Sequence, residues 1–458
     1  MSAGLAAEIE RWSRAEPALL GHDFDARLRD VTQWSNQCIA LLGRLPAPAK
    51  RNANELELAA DLKQRMHATK RKFTGQHTER LYRGLKHSRR GVSSIDAIVF
   101  GAAEEYLGFV PSREAMALER ARSPREREGW ELDQALLLSG FLAHPRVGAE
   151  IVATMRQPKP ESIEHLARFR REGALDLGAA RLRRRGKAAL IEICRPDSLN
   201  AEDEELLAAQ EALVDVVLLA DELELGILRG APVHNRKYEG RRVFCSGINL
   251  DHLYAGKLSY LFYVTRELGF VNKLYRGLAH GLAANDELAT RTTEKAWIAV
   301  VDSHAIGGGC QLLLVVDYVL GEKGSFCSIP ARHEGFIPGL ANLRLPRYVG
   351  QRLAQEMIYF NKKVTAESAE GGLIFDQVVA TDAIETALDR VVESISSSGV
   401  LGLGASRRAF RLGQEPSDTF REYMAAFAIE QAECLVSPQL SANLERQWVG
   451  ARDKRREA

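Results

Sequence analysis

The sequence predicts an α/β core preceded by an all-helical region and followed by a helical tail, and three observations carry that prediction. Over the first part of the chain, apolar residues recur at intervals of three and four, the signature of helices with one buried face. From Lys187 onward, short apolar runs rich in strand formers alternate with helical stretches, which implies parallel strands joined by crossover helices. Strand-like alternation is scarce before that point.

The helical region runs to about Gly173 and includes ELELAADLKQRMHATKRKF and LDQALLLSGFLAHPRV. Proline-rich breaks at LPAPAK (Leu45 to Lys50) and QPKPES (Gln157 to Ser162) punctuate it, and no repeat period is visible. Residues 1–176 are therefore expected to form one domain and residues 177–458 a second. The basic run RLRRRG (Arg181 to Gly186) has no interleaved aromatics and reads as a solvated linker. KAALIEI (Lys187 to Ile193) reads as a strand, CRPDSLN as a turn, and AEDEELLAAQEALVDVVLLADEL as a helix with acids in its first turn. ELGILRG, RRVF and KAWIAVVDS read as buried strands, and the tail from about Ala405 to Arg455, with DTFREYMAAFAIEQAECL, as helical.

At 458 residues and 45% apolar content the chain has ample core for two or three domains. A net charge of +1 offers no field for nucleic acid or an anionic membrane, so a small-molecule partner is expected. The six cysteines form no CxxC pair and no disulfide-dense scaffold, which fits reduced thiols in the cytoplasm. The start MSAGLAAEIERWSRAEPALL lacks the pattern of a signal peptide, and no apolar run reaches membrane-spanning length.

Two loops carry the chemistry. SHAIGGGCQLLLVVD (Ser303 to Asp317) sets Gly307, Gly308 and Gly309 before an apolar run, and FCSGINLDHL (Phe244 to Leu253) repeats the order of strand, glycine and helix-like segment. Backbone N–H groups at two such strand ends can hold a developing oxyanion. With RPDSLNA and FCSIPARHEGFIPG, these motifs are identified as resembling the crotonase (enoyl-CoA hydratase/isomerase) superfamily over roughly Lys187 to Ala405. The resemblance implies a spiral of ββα turns, assembly as a homotrimer or homohexamer, and an acyl-coenzyme A thioester whose carbonyl oxygen sits between the amides of Ile248 and Gly308.

Hydratases of that superfamily carry one glutamate two residues after the glycine triplet and a second after the later proline; here those positions are Gln311 and Ala331. Neither an amide nor a methyl group moves protons at neutral pH, so hydration is not expected. The insertion GAPVHNRKYEGRRVFCSGINLDHL, the segment TRELGFVNKLYRG and EGFIPGLANLRL resemble the superfamily's dioxygenase branch of glycopeptide-antibiotic biosynthesis. That branch oxidises arylacetyl thioesters, 3,5-dihydroxyphenylacetyl-CoA above all, with O2 and neither metal nor flavin, and releases an arylglyoxylate and coenzyme A. The resemblance places Glu202, Arg266 and Gln311 against the acyl group. It implies substrate or coenzyme A contacts from Pro196, Asn235, Arg236, Lys237, Tyr238, Ser246, Gly247, Asn249 and Leu250, with no cofactor and no metal ligand.

Other readings of these residues remain open. Glu202 also fits a first-turn helix acid, Arg266 an ion pair with Glu267, Gln311 a buried amide, Leu250 and Phe336 ordinary core, and the polar loop around His234 an exposed surface. His252 and His304 read as supporting or solvent-facing residues, and Cys310 as a small buried side chain lacking an activating base. His77-Thr78-Glu79, the only His-x-Glu, lies in a helical pattern that turns its two ends apart. A thioesterase, isomerase or decarboxylase sharing the same amides, or a silent acyl-CoA-binding scaffold, would use the same motifs.

Overall fold

A computed structural model describes residues 3–19, 23–281, 292–397 and 399–446. The end of the expected helical tail, beyond residue 446, lies outside the described residues. Clustering in space divides the chain elsewhere than at residue 176. Among the described residues, one unit holds 3–154, 254–261 and 418–445, and the other holds 155–253, 262–417 and 446.

The first unit is helical. Its longest helix, Ala53–His87, starts with a reciprocal cap, in which Asn52 accepts from Glu55 N–H and Glu55 accepts from Asn52 N–H, each at 3.0 Å. His77 interrupts it with φ −121° and ψ 16°, and Glu79 pairs with His144 and Arg146. Trp12 and Trp34 stack at 4.3 Å within an apolar cluster with Leu42, Leu62 and Met66. Helix Ser417–Val436 belongs here by its buried Phe420, Met424 and Phe427.

Among the described residues the second unit has twelve strands: β1 Ala174–Asp176, β2 Ala180–Arg185, β3 Ala188–Ile193, β4 Leu225–Gly230, β5 Leu278–Ala279, β6 Thr292–Thr293, β7 Ala296–Val301, β8 His304–Ile306, β9 Tyr318–Glu322, β10 Phe326–Ser328, β11 Val364–Thr365 and β12 Gln377–Val379. The main sheet has the order β1-β2-β3-β4-β7-β9-β12 and is parallel from β3 onward. Ile191 sits opposite Leu228, and Leu228 opposite Ala299. Every residue of β4 and β7 is buried, as strands covered on both faces require. A smaller sheet, β11-β10-β8, stands beside the second glycine loop. The parallel α/β core expected from the sequence is present.

Two expectations need correction. RLRRRG is not a linker: Arg181 to Arg185 lie in β2, antiparallel to β3, with Ala180 and Leu182 inward and Arg181 and Arg183 outward. Its four arginines disguise an ordinary inward and outward alternation. RRVF is not a strand; Val243 and Phe244 are fully buried, but only Arg242 makes an isolated bridge, to Pro232. The Val243 carbonyl instead accepts from Asn200 Nδ2 at 2.7 Å, so a side chain takes the bond that a strand neighbour would. Among the described residues, no single helix is long and apolar enough to cross a membrane.

Candidate active site

The two glycine loops lie against each other. A methyl group built on Gly247 would stand 3.0 Å from the Ile306 carbonyl and 3.4 Å from Gly308 N, and Gly247 takes φ +82°. A side chain there would be strained and would separate the loops. Gly307 opens helix Gly308–Leu313 with φ 53° and gives its own N–H to Ser328 O at 2.9 Å. Gly308 N–H, the next along, has no partner among the described residues.

Ile248 is left free by a different device. Glu202 bridges Ile248 in parallel: Glu202 N–H donates to Gly247 O at 2.6 Å, and Asn249 N–H donates to Glu202 O at 2.8 Å. This pattern spends the groups on either side of Ile248 and turns its own N–H away from Glu202. Two amides, from Ile248 and Gly308, are thus left without partners among the described residues on loops that touch at Gly247, and free backbone N–H groups of this kind can hold an oxyanion.

Glu202 precedes helix Glu204–Leu219, whose N-cap is Asp203, so it is not the first-turn acid that the sequence also allowed. It is 2% exposed, with Oε1 bonded to Arg266 Nε at 2.9 Å and Oε2 without a partner. Oε2 lies where a methyl group on Gly308 would be, at 1.8 Å. Arg266, 3% exposed, uses every nitrogen: Nε on Glu202, Nη1 on Glu267 Oε1 at 2.5 Å and Gln311 Oε1 at 3.1 Å, and Nη2 on Gly308 O at 3.0 Å. The ion pair with Glu267 that the sequence allowed is present, and Arg266 also donates to Gly308 O. Because its donors are spent on protein, Arg266 positions its neighbours.

Burial opposes the Arg266 charge, but the Glu202 and Glu267 carboxylates outweigh it and hold the guanidinium above its usual range. Burial raises Glu267, offset in part by Arg266 and Arg344. Directly after Arg266, residues Glu267–Val271 widen into a π-helical turn, a feature that often marks functional sites. Sequence reasoning did not place Glu267 in the cluster, although the adjacent Arg-Glu pair was a usable signal.

The turn before Glu202 is held by Asn200, which was also missed. It takes φ 56°, is fully buried, donates through Nδ2 to Ala231 O and Val243 O, and accepts from Arg195 N–H. Asparagine is among the few side chains that accept this backbone region.

The residues expected to touch coenzyme A divide into two groups. Pro196 O accepts from His234 N–H at 3.2 Å, which joins the RPDS turn to the insertion. Arg236 and Lys237 are exposed and Asn235 is half-buried, its Oδ1 accepting from Lys237 N–H. The Tyr238 ring meets His304 edge-on at 5.0 Å, and Ser246 Oγ lies 3.0 Å from His304 Nε2. His304 is therefore buried, not solvent-facing; burial, together with Lys237, Lys363 and Arg241, lowers it to about 4 and keeps it neutral. His252 is partly exposed, 3.3 Å from Asp203 Oδ2. Asn249 caps helix Leu250–Tyr254 through its bond from His252 N–H, and Leu250 is half-buried. Cys310 is buried beside Cys327, its thiol raised by a hydrogen bond to Cys327 and by burial.

Residues 238–419 match a family model described as enoyl-CoA hydratase/isomerase. A protein from Amycolatopsis orientalis named (3,5-dihydroxyphenyl)acetyl-CoA 1,2-dioxygenase is 38% identical over 88% of this chain and 92% of its own. A putative enoyl-CoA hydratase/isomerase of Bacillus subtilis is 25% identical over 53% of this chain and 83% of its own. A solved enoyl-CoA hydratase from Mycobacterium avium subsp. paratuberculosis K-10 aligns with a TM-score of 0.47 at 18% identity, over 59% of this chain and 97% of that one.

Proposed function

Because this chain belongs to the enoyl-CoA hydratase/isomerase family, we propose that it is a cofactor- and metal-independent dioxygenase of an arylacetyl-CoA, 3,5-dihydroxyphenylacetyl-CoA first among them. The observation that carries the reading is the pair of unsatisfied amides, Ile248 and Gly308, beside a site whose Gln311 is bound to Arg266 and whose residue 331 is alanine. The charge of an enolate can be held there, while the paired acids of a hydratase are missing. The dioxygenase name of the Amycolatopsis relative supports the same choice.

In this reaction the thioester oxygen lies between the two amides, and loss of an α-proton gives an enolate. One such donor is worth about 3 kcal/mol of barrier, so the pair supplies much of the acidification. The electron-rich enolate reduces O2 and forms a carbon–oxygen bond at the α-carbon. The peroxide attacks the thioester carbonyl and expels the coenzyme A thiolate. The second α-hydrogen leaves as a proton while the O–O bond breaks, so that arylacetyl-CoA and O2 give arylglyoxylate and free coenzyme A. Glu202 Oε2, buried and unpartnered, is placed to accept a hydrogen bond from a ring hydroxyl. Arg266 holds Glu202 in place and Gln311 faces the acyl group beside Arg266, while residues 196, 235–238, 246, 247, 249 and 250 form the coenzyme A side.

The assembly proposed with this reading is a homotrimer or a pair of trimers in the cytoplasm. Oxygen uptake with 3,5-dihydroxyphenylacetyl-CoA, followed by mass spectrometry of the product, tests the activity. The expected result is one O2 per coenzyme A released, unaffected by chelators, with an arylglyoxylate formed. Coenzyme A release at an unchanged rate without oxygen would instead mark a thioesterase, and binding without turnover a scaffold.

A further inference from the structure

The enolate step needs a group to receive the first α-proton, and Arg266 and Gln311 are committed to each other and to Glu202 and Gly308. Glu334 is a carboxyl that the site has not yet used. It ends the one-turn helix Ala331–Glu334, and residues three apart on a helix share a face, so it follows the buried Ala331. Gly335 takes φ 110° and donates to Ala331 O at 2.8 Å, and Phe336 donates to the same oxygen at 3.1 Å, which closes the turn. Phe336 then packs 6.2 Å from the Tyr263 ring.

Tyr263 stands three residues before Arg266 on helix Tyr260–Arg266, so the two share the face that carries Arg266 to Gly308. The Tyr263 hydroxyl is buried and has no hydrogen-bond partner among the described residues. Burial raises its phenol, and the nearby Glu334 charge raises it further. Glu334 is half-buried, and its carboxyl has neither an ion pair nor a hydrogen bond to any described residue. A buried hydroxyl left without a partner, as at Tyr263, is costly and calls for an explanation.

We propose that Glu334 is the general base that removes the α-proton of the bound acyl thioester. The α-carbon–hydrogen bond breaks and its electron pair forms the enolate double bond. The negative charge passes to the thioester oxygen at Ile248 and Gly308, and the proton goes to the Glu334 carboxylate. Burial lifts the Glu334 carboxyl to about 7, which suits proton abstraction near neutral pH. This inference rests on the acyl-thioester reading of the site.

Exchange of the α-hydrogens of phenylacetyl-CoA in deuterated water without oxygen, followed by NMR, isolates this step. Glu334→Gln is expected to slow exchange about 100-fold while changing the affinity for phenylacetyl-CoA less than about threefold. Glu334→Asp, which shortens the reach by one methylene, should slow it about tenfold and serves as the test if the amide variant fails to fold. Exchange within about threefold of the unaltered protein in either folded variant overturns Glu334 as the base. Failure of the unaltered protein to bind the thioester or to exchange its α-hydrogens overturns the acyl-thioester reading, and this inference with it.

Discussion

Replacing Gly308 with alanine probes the junction on which the site depends. The new methyl group would stand 1.8 Å from Glu202 Oε2, about 1.6 Å short of the 3.4 Å at which contact becomes ordinary, and 3.1 Å from Arg266 Nη2. Glu202 cannot swing aside freely, because its backbone is bonded to Gly247 and Asn249 and its Oε1 to Arg266. Either that 2.9 Å ion pair breaks or the Gly308 amide moves out of line with that of Ile248. Overpacking of this kind costs about 1–3 kcal/mol of stability. Displacing one oxyanion donor costs about 3 kcal/mol of barrier, a loss in kcat/KM of about 100-fold. Coenzyme A release from the arylacetyl thioester, measured with a thermal melt on the same sample, gives both quantities. A folded Gly308→Ala protein with kcat/KM within about threefold of the original would refute the reasoning.

Arg266→Met leaves the Glu202 and Glu267 carboxylates buried without their shared cation, so a loss of about 3–5 kcal/mol is expected by chemical denaturation. Gln311→Glu restores one hydratase acid opposite Ala331, and no hydration of crotonyl-CoA is expected by absorbance; arylacetyl-CoA turnover should fall about tenfold as a third carboxylate gathers around Arg266. His304 is held near 4 in the folded protein against about 6.5 when unfolded, so below pH 6.5 the unfolded chain takes up a proton that the folded chain refuses. Its stabilising contribution is complete above pH 6.5 and declines as the pH falls to 4, approaching a loss of about 3 kcal/mol, and His304→Gln should flatten that part of the denaturation profile.

The close approach of the two glycine loops at the candidate site was legible because it depends on backbone. Gly247 and the glycine triplet announce where two main chains approach, since any larger residue would separate them. Gln311 announced the missing acid by its chemistry alone. The strands of the core were legible where both faces are buried, as in β4 and β7, and failed where composition misleads. β2 hides two inward apolar residues among arginines, and Val243 and Phe244 are buried without a strand ladder because Asn200 supplies the bond. The grouping of helix Ser417–Val436 with the first unit is a long-range event that no local pattern encodes. Glu267 was read only as an ion-pair partner of Arg266 for a similar reason, since a pair between sequence neighbours gives no hint that both partners are buried.

A crystal structure with a non-oxidisable arylacetyl-CoA analogue bound tests the central claim most directly. The account predicts the carbonyl oxygen about 2.7–3.1 Å from the backbone nitrogens of both Ile248 and Gly308. A bound analogue whose carbonyl oxygen faces away from those two nitrogens would contradict it.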